Sequence, residues 1–198
     1  VGERNALLVR RFDREWSGDG YYRHRMISAL TLLQSEDSPA ARGRWSYLLL
    51  ADEIRRASAQ PKEDLRELFA RMCFNAAISN LDDHPRNHAL LARGRSWTLS
   101  PAYDLTPTPV LSLDRRDLAM ECGPAGRLAN KVNLIDGAGR FLLSAADAEA
   151  IFTCVVDVVG KEWHATMRRA GVSELDCVAI RSAFLYEGLF FDAVSKGG

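Results

Sequence analysis

The chain has no apolar run near the ~18 to 20 residues that a helix needs to cross a bilayer. No secretory leader with a charged start, an apolar middle and a small-residue cleavage site is visible. Net charge is also missing: 26 lysines and arginines balance 26 aspartates and glutamates. No overall field draws the chain to nucleic acid, and direct DNA binding by this chain alone is not expected. The cysteines, Cys73, Cys122, Cys154 and Cys177, form no C-x-x-C pair. Cys73 and Cys154 fall in apolar helical runs and read as buried free thiols, as in a reducing, cytoplasmic compartment. Repeats and low-complexity tracts are absent too. What is present is ordinary globular composition, 198 residues of which 47% are hydrophobic and 26% charged. Such a chain forms one domain able to bury roughly 70% of its extended surface.

The hydrophobic spacing predicts an α+β fold that is predominantly helical. Residues 5–12 read as a strand, and Gly18-Asp19-Gly20 breaks the chain after it. Residues 21–33 and 39–57 carry apolar side chains at helical spacing. The clearest helix starts near Pro61, with Glu63 and Asp64 in the first turn, where the helix dipole favours anions. Its stripe is Leu65, Leu68, Met72, Cys73 and Ala76, and it ends near Ser79-Asn80. Residues 88–92 and 96–99 form a hairpin through Arg93-Gly94-Arg95, and residues 114–127 read as a strand plus connection. Ser144 opens a long helix to about Ala170, Gly171 stops it, and Ser173 caps a last helix. Residues 196–198 look like a frayed end.

Two segments carry chemistry: ISNLDDHPRN at 78–87 and SPAYDL at 100–105. Phosphoryl transfer from ATP to a hydroxyl needs a carboxylate to take or orient the hydroxyl proton. It also needs an amide and a second carboxylate to hold magnesium against the phosphates, spaced as Asp, Asn five residues later, and Asp on a downstream loop. Asp82, Asn87 and Asp104 fit that order, with Asp104 on a proline-bound irregular loop. Asp83 lacks the offset to Asn87 and reads as a loop residue. His84 is placed to orient a phosphate more than to neutralise it. Arg86 either assists there or caps the loop at the surface. Pro85 disfavours helix at His84 and keeps the loop extended.

These residues, NLDDHPRNHALL and LSPAYDL preceded by LLVRRFDREW, resemble the C-terminal part of HipA-family serine/threonine kinases, the toxin halves of bacterial toxin–antitoxin pairs. The resemblance runs over roughly the whole chain. It implies a protein-kinase-like large lobe with a short hairpin at the active site, using ATP and Mg2+. It makes Asp82 the catalytic base and Asn87 and Asp104 the magnesium ligands, and sets the backbone near Arg10 and Phe12 beside the adenine. Phe12 packs on adenine or is a core aromatic at a strand end; Arg10 stands where some relatives carry an acidic residue. By the same resemblance the partners are a HipB-like helix-turn-helix antitoxin and a substrate from the translation machinery, such as an aminoacyl-tRNA synthetase.

No G-x-G-x-x-G loop and no strand with a phosphate-pairing lysine occurs. The expected division is therefore a hinge strand and connection at 1–16 and a helical large lobe at 17–198, with the small lobe absent and the fragment inactive alone. Two other functions fit parts of the pattern. Asp82, Asp83, His84 and His88 bring two carboxylates and two imidazoles into seven residues, as in a metal-dependent hydrolase. A kinase-like lobe kept as a non-catalytic docking surface is the other.

Overall fold

The computed structural model describes residues 8–109 and 112–191. Regular structure begins with two antiparallel strands, β1 (Arg14–Trp16) and β2 (Tyr21–Arg23). Gly18 turns the chain between them at φ +94°, a conformation that side chains rarely adopt. β3 (Arg25–Ser28) follows, and helix is confined to α1 (Ala29–Leu32), where the Ser28 hydroxyl accepts from the Thr31 amide. The helix expected over residues 21–33 is thus mostly strand. Aromatic and β-branched side chains suit a pleated surface, and pairing of β3 with residues 89–92 supplies the hydrogen bonds that a helix makes internally. Of the strand expected over residues 5–12, residues 5–7 lie outside the described chain, residues 8–11 carry no regular structure and Phe12 lies in a turn.

The long helix expected over residues 39–57 is broken at Trp45. A 3-10 stretch, Pro39–Arg44, gives way to α2 (Tyr47–Ala57). Ser46 marks the break: its hydroxyl accepts from the Leu48 and Leu49 amides at 3.2 and 3.4 Å. The backbone on either side is spent on Glu121, with Tyr47 N–H donating to its carbonyl and Glu121 N–H donating to Trp45. α3 (Pro61–Ala77) forms as its apolar spacing predicts. Asp64 in its first turn accepts from the Ser58 hydroxyl at 2.6 Å and the Leu99 amide at 2.8 Å, which fixes the hairpin against the helix start.

That hairpin is β4 (Ala89–Arg93) and β5 (Ser96–Leu99), antiparallel, with β4 central in the order β3-β4-β5. Arg93 pairs with Ser96, so the loop is two residues long and Gly94 opens it at φ +65°. Residues 114–127 hold only isolated bridges and no strand, because Asp117 and Glu121 pair singly with Leu128 and Ser46. α4 (Lys131–Asp136) is short and was not legible from spacing; the Asn130 side chain caps it by accepting from the Asn133 amide at 2.9 Å.

α5 (Ala145–Arg169) starts at Ser144, whose oxygen accepts from the Asp147 amide. The Ser144 hydroxyl in turn donates to the Asp147 carboxylate and holds it below the usual carboxylate range. Gly171 leaves the helix at φ +88°, and Ser173 caps α6 (Glu174–Ile180). The frayed end expected at 196–198 lies outside the described residues. Among those described, no helix is long and apolar enough to cross a membrane.

α3 runs through the middle of the core, with α2 and α5 against it. Leu50, Ile54, Leu68, Phe69 and Met72 are buried there, and Phe69 meets Phe141 edge to face at 5.3 Å. Cys73, Cys122 and Cys177 are buried as free thiols, but Cys154 is exposed. It lies off the buried stripe of α5, formed by Ala148, Ile151, Phe152 and Val159. Phe69→Ala should cost about 3–5 kcal/mol of unfolding free energy with an unchanged urea m-value. Urea denaturation followed by circular dichroism measures it.

Candidate active site

The loop bearing Asp82 is delivered by the end of α3. Ser79 takes a left-handed conformation, φ +54°, and the Asn80 amide turns back to the Asn75 carbonyl at 2.8 Å. The Ser79 hydroxyl donates to the Ala183 carbonyl at 2.6 Å, and the Leu185 amide donates to the Ala77 carbonyl at 2.8 Å. Arg116, only 2% exposed, donates to Ser79 Oγ and lies over the Tyr186 ring at 4.4 Å. Burial lowers its pKa from the ordinary arginine value. The helix terminus is therefore held by side chains and by the chain's last described segment.

Beyond it, successive residues face opposite ways. Asp82 is exposed, while Asp83 has no exposed surface. Residues Pro85–Asn87 form a 3-10 turn closed by the Asn87 amide on the His84 carbonyl at 2.8 Å. Asn87, 7% exposed, reaches back with its side-chain Nδ2 to the Asp82 carbonyl at 3.5 Å, which leaves its Oδ1 as an acceptor. The spacing of five residues thus becomes a closed loop with the Asp82 carboxylate on its exposed side.

Asp104 comes to the same place from the end of β5. Arg71, 7% exposed, donates to the Ser100 carbonyl at 2.6 Å and pairs with Glu67 at 2.8 Å, which sets the loop's departure. The Tyr103 hydroxyl donates to the Arg86 carbonyl at 2.7 Å. Burial is the main cause that pushes its phenol up to about 12, so it remains a donor across the physiological range. Asp104 itself has φ +58°, uncommon for a residue with a side chain, and its carboxylate-bearing residue is exposed. Asn80 Nδ2 donates to its carbonyl at 3.4 Å.

The other expected site residues separate. Phe12 is half-buried with its ring 5.7 Å from Tyr103, beside Asp104. Arg10 is exposed and makes no hydrogen bond or ion pair among the described residues. Arg86 is held by Asp37 at 2.7 Å. His84 meets Trp45 edge to face at 6.2 Å. A cleft of about 460 Å³ opens beside Asp82, lined also by His84, Arg86, Trp45, Asp37 and Arg127.

Asp83 is no ordinary loop residue. His88 Nε2 lies 3.0 and 3.1 Å from its two oxygens, the Tyr47 hydroxyl donates to Oδ2, and Tyr47 in turn accepts from Asn75 Nδ2 at 3.0 Å. The cluster of two carboxylates and two imidazoles is accordingly split. Asp83 and His88 form a buried pair, whereas Asp82 and His84 line the cleft. Among the described residues no three His, Cys, Asp or Glu side chains could hold a metal ion. Asn87 and Asp104 offer hard oxygen donors, a set suited to a magnesium ion that brings its remaining ligands as water and phosphate. Tyr47, Asn75 and Asn80 were missed as site residues, and His88 entered only as a candidate metal ligand. The available signal was Asn75 in the apolar last turns of α3 and Asn80 five residues on, as buried polar groups seeking partners.

No curated protein matches the chain. Its fold is similar to that of a chain from the toxin–antitoxin complex of HipA, HipB and operator DNA from Shewanella oneidensis MR-1, with a TM-score of 0.67 and 14% identity over 90% of this chain. The match spans 46% of the Shewanella chain. The family model described as HipA-like C-terminal domain matches residues 1–163, and the chain with its site loops belongs to that family.

Proposed function

We propose that the chain is the large lobe of an ATP- and magnesium-dependent protein serine/threonine kinase of the HipA type. The observation that carries the reading is the closed Asp82–Asn87 loop, tied at the Arg86 carbonyl and at Asn80 to the loop of Asp104. Asp82 faces the cleft, so a substrate hydroxyl entering there passes its proton to the Asp82 carboxylate. As the hydroxyl oxygen bonds to the γ-phosphorus, the bond to the ADP oxygen breaks. Asn87 and Asp104 would hold magnesium, which when bound offsets the charge of the phosphate oxygens. Phe12 and Tyr103 offer an aromatic surface for the adenine. His84, edge to face with Trp45, orients the transferred phosphate, and Arg86, paired with Asp37, caps the loop.

Membership of the family and the likeness to the HipA–HipB–DNA complex support a HipB-like antitoxin as partner. The family resemblance further points to a protein of the translation machinery as substrate, in the cytoplasm. Division of the site cluster between a buried pair and the cleft weighs against the metal-dependent hydrolase.

In the intact protein Asp82→Asn should lower the rate of phosphoryl transfer by at least ~10²-fold with nucleotide affinity nearly kept, since a positioned base typically contributes that much. Transfer of labelled phosphate from ATP measures it, and an undiminished rate in that variant would overturn the kinase reading. Asp104→Asn should weaken magnesium-nucleotide binding as well as the rate, with partial recovery at raised magnesium. Asp83→Ala should act on the fold instead. It leaves the Tyr47 and His88 donors without their acceptor, at about 1–3 kcal/mol each, and lowers the melting temperature where Asp82→Asn does not.

A further inference from the structure

Asp83 and Asp104 stand at the two ends of one chain of hydrogen bonds whose inner members are withdrawn from water. Tyr47, Asn75 and Asn80 are at most 2% exposed, and Asp83 is fully buried. A carboxylate only accepts, so the Tyr47 hydroxyl spends its single proton on Asp83. Its oxygen is left to accept, which turns Asn75 Nδ2 towards it and Asn75 Oδ1 away. That Oδ1 accepts from Asn80 Nδ2 at 3.1 Å, and the second proton of the same amide goes to the Asp104 carbonyl at 3.4 Å. Every donor direction is dictated from the carboxylate end. Reversing one member would set two donors or two acceptors face to face in buried surroundings.

We propose that this chain of bonds, with Tyr47 as its joint, holds the Asp82–Asn87 loop and the Asp104 loop in one relative arrangement. Tyr47, Asn75 and Asn80 are positioning residues that preset the proposed magnesium ligands. The bond from Asn80 falls on the residue that most needs it, because the left-handed conformation of Asp104 costs on the order of 1–3 kcal/mol and persists only when its surroundings impose it. Placement matters here: a shift of about 1 Å in a reacting group can cost ~10²-fold in rate. The catalytic consequence rests on the kinase reading above, while the mechanical coupling does not.

Tyr47→Phe in the intact protein keeps the ring and its edge contact with His88 at 5.2 Å, and deletes only the joint. The expected result has two parts. In amide relaxation measurements the order parameter of Asp104 falls from about 0.85 to below about 0.6, with Val159 in α5 unchanged as the control. In the transfer assay the magnesium concentration for half-maximal rate rises roughly tenfold, about one net buried hydrogen bond, with KM for the acceptor unchanged. Asn80→Ser cuts the same chain at its other end and should give both effects. It also serves if Tyr47→Phe does not fold, and the double variant should be no worse than either single one. A lower melting temperature with Asp104 as ordered as before and the magnesium dependence unmoved would overturn the proposal, as would additive effects in the double variant. If the wild-type protein transfers no phosphate, the kinase reading falls, and the order parameters alone still decide the coupling.

Discussion

A carboxylate shut away from water must be satisfied by whatever surrounds it, and Asp83 imposes that demand on three elements at once. Its partners come from the first turn of α2 through Tyr47 and from the entry to β4 through His88. Asn75, near the end of α3, answers to it through Tyr47. None of these can shift alone, since each would leave a polar group unpaired where no solvent replaces the lost bond. The exposed face of the same loop is free of such demands. Adjacent aspartates therefore divide the labour, one buried to hold the loop and one presented to the cleft. The division shows in the burial, Asp82 exposed and Asp83 without exposed surface. Pro85 helps by excluding the helical conformation from His84, which is found extended.

The end of α3 shows the same principle with the charge reversed. Arg116 is buried beside an aromatic ring, a serine hydroxyl and carbonyl groups of residues 112 and 183. A guanidinium suits this place better than an ammonium would. It is planar enough to lie on Tyr186 while its edge nitrogens reach separate acceptors, and its weaker hydration makes burial less costly. The terminal carbonyls of a helix ordinarily look to water or to a glycine turn. Here they look to Leu185 and to a serine in a glycine-like conformation.

Much of the scaffold was legible because local signals agreed with one another. α3, α5 and α6 each announce their starts by a capping or N1 residue, Pro61, Ser144 and Ser173, and the hairpin by Gly94. The order Asp82, Asn87, Asp104 was singled out for a chemical reason, the spacing that a phosphoryl group requires, and Tyr103 and Asn80 join the two loops that carry it. What failed was decided by distant partners. Residues 21–28 carry a helical spacing, yet β1 and β4 recruit them as strands; residues 45–47 bend to meet Glu121. Cys154 sits in an apolar run but off the buried stripe of its helix. The roles of Asp83, Tyr47 and the two asparagines depend on contacts across 24 to 36 positions, which no local window contains.

The family match ends at residue 163, within α5, whereas the groups that close the end of α3 come from residues 183–186. The matched segment and the mechanical unit are thus of different length. A protein trimmed to the shared segment would keep every residue proposed for chemistry and lose Tyr186 from under Arg116, the Leu185 amide from the Ala77 carbonyl and the acceptor of Ser79. Boundaries drawn for expression belong beyond the last element that touches the loop and not at the last residue of the family match.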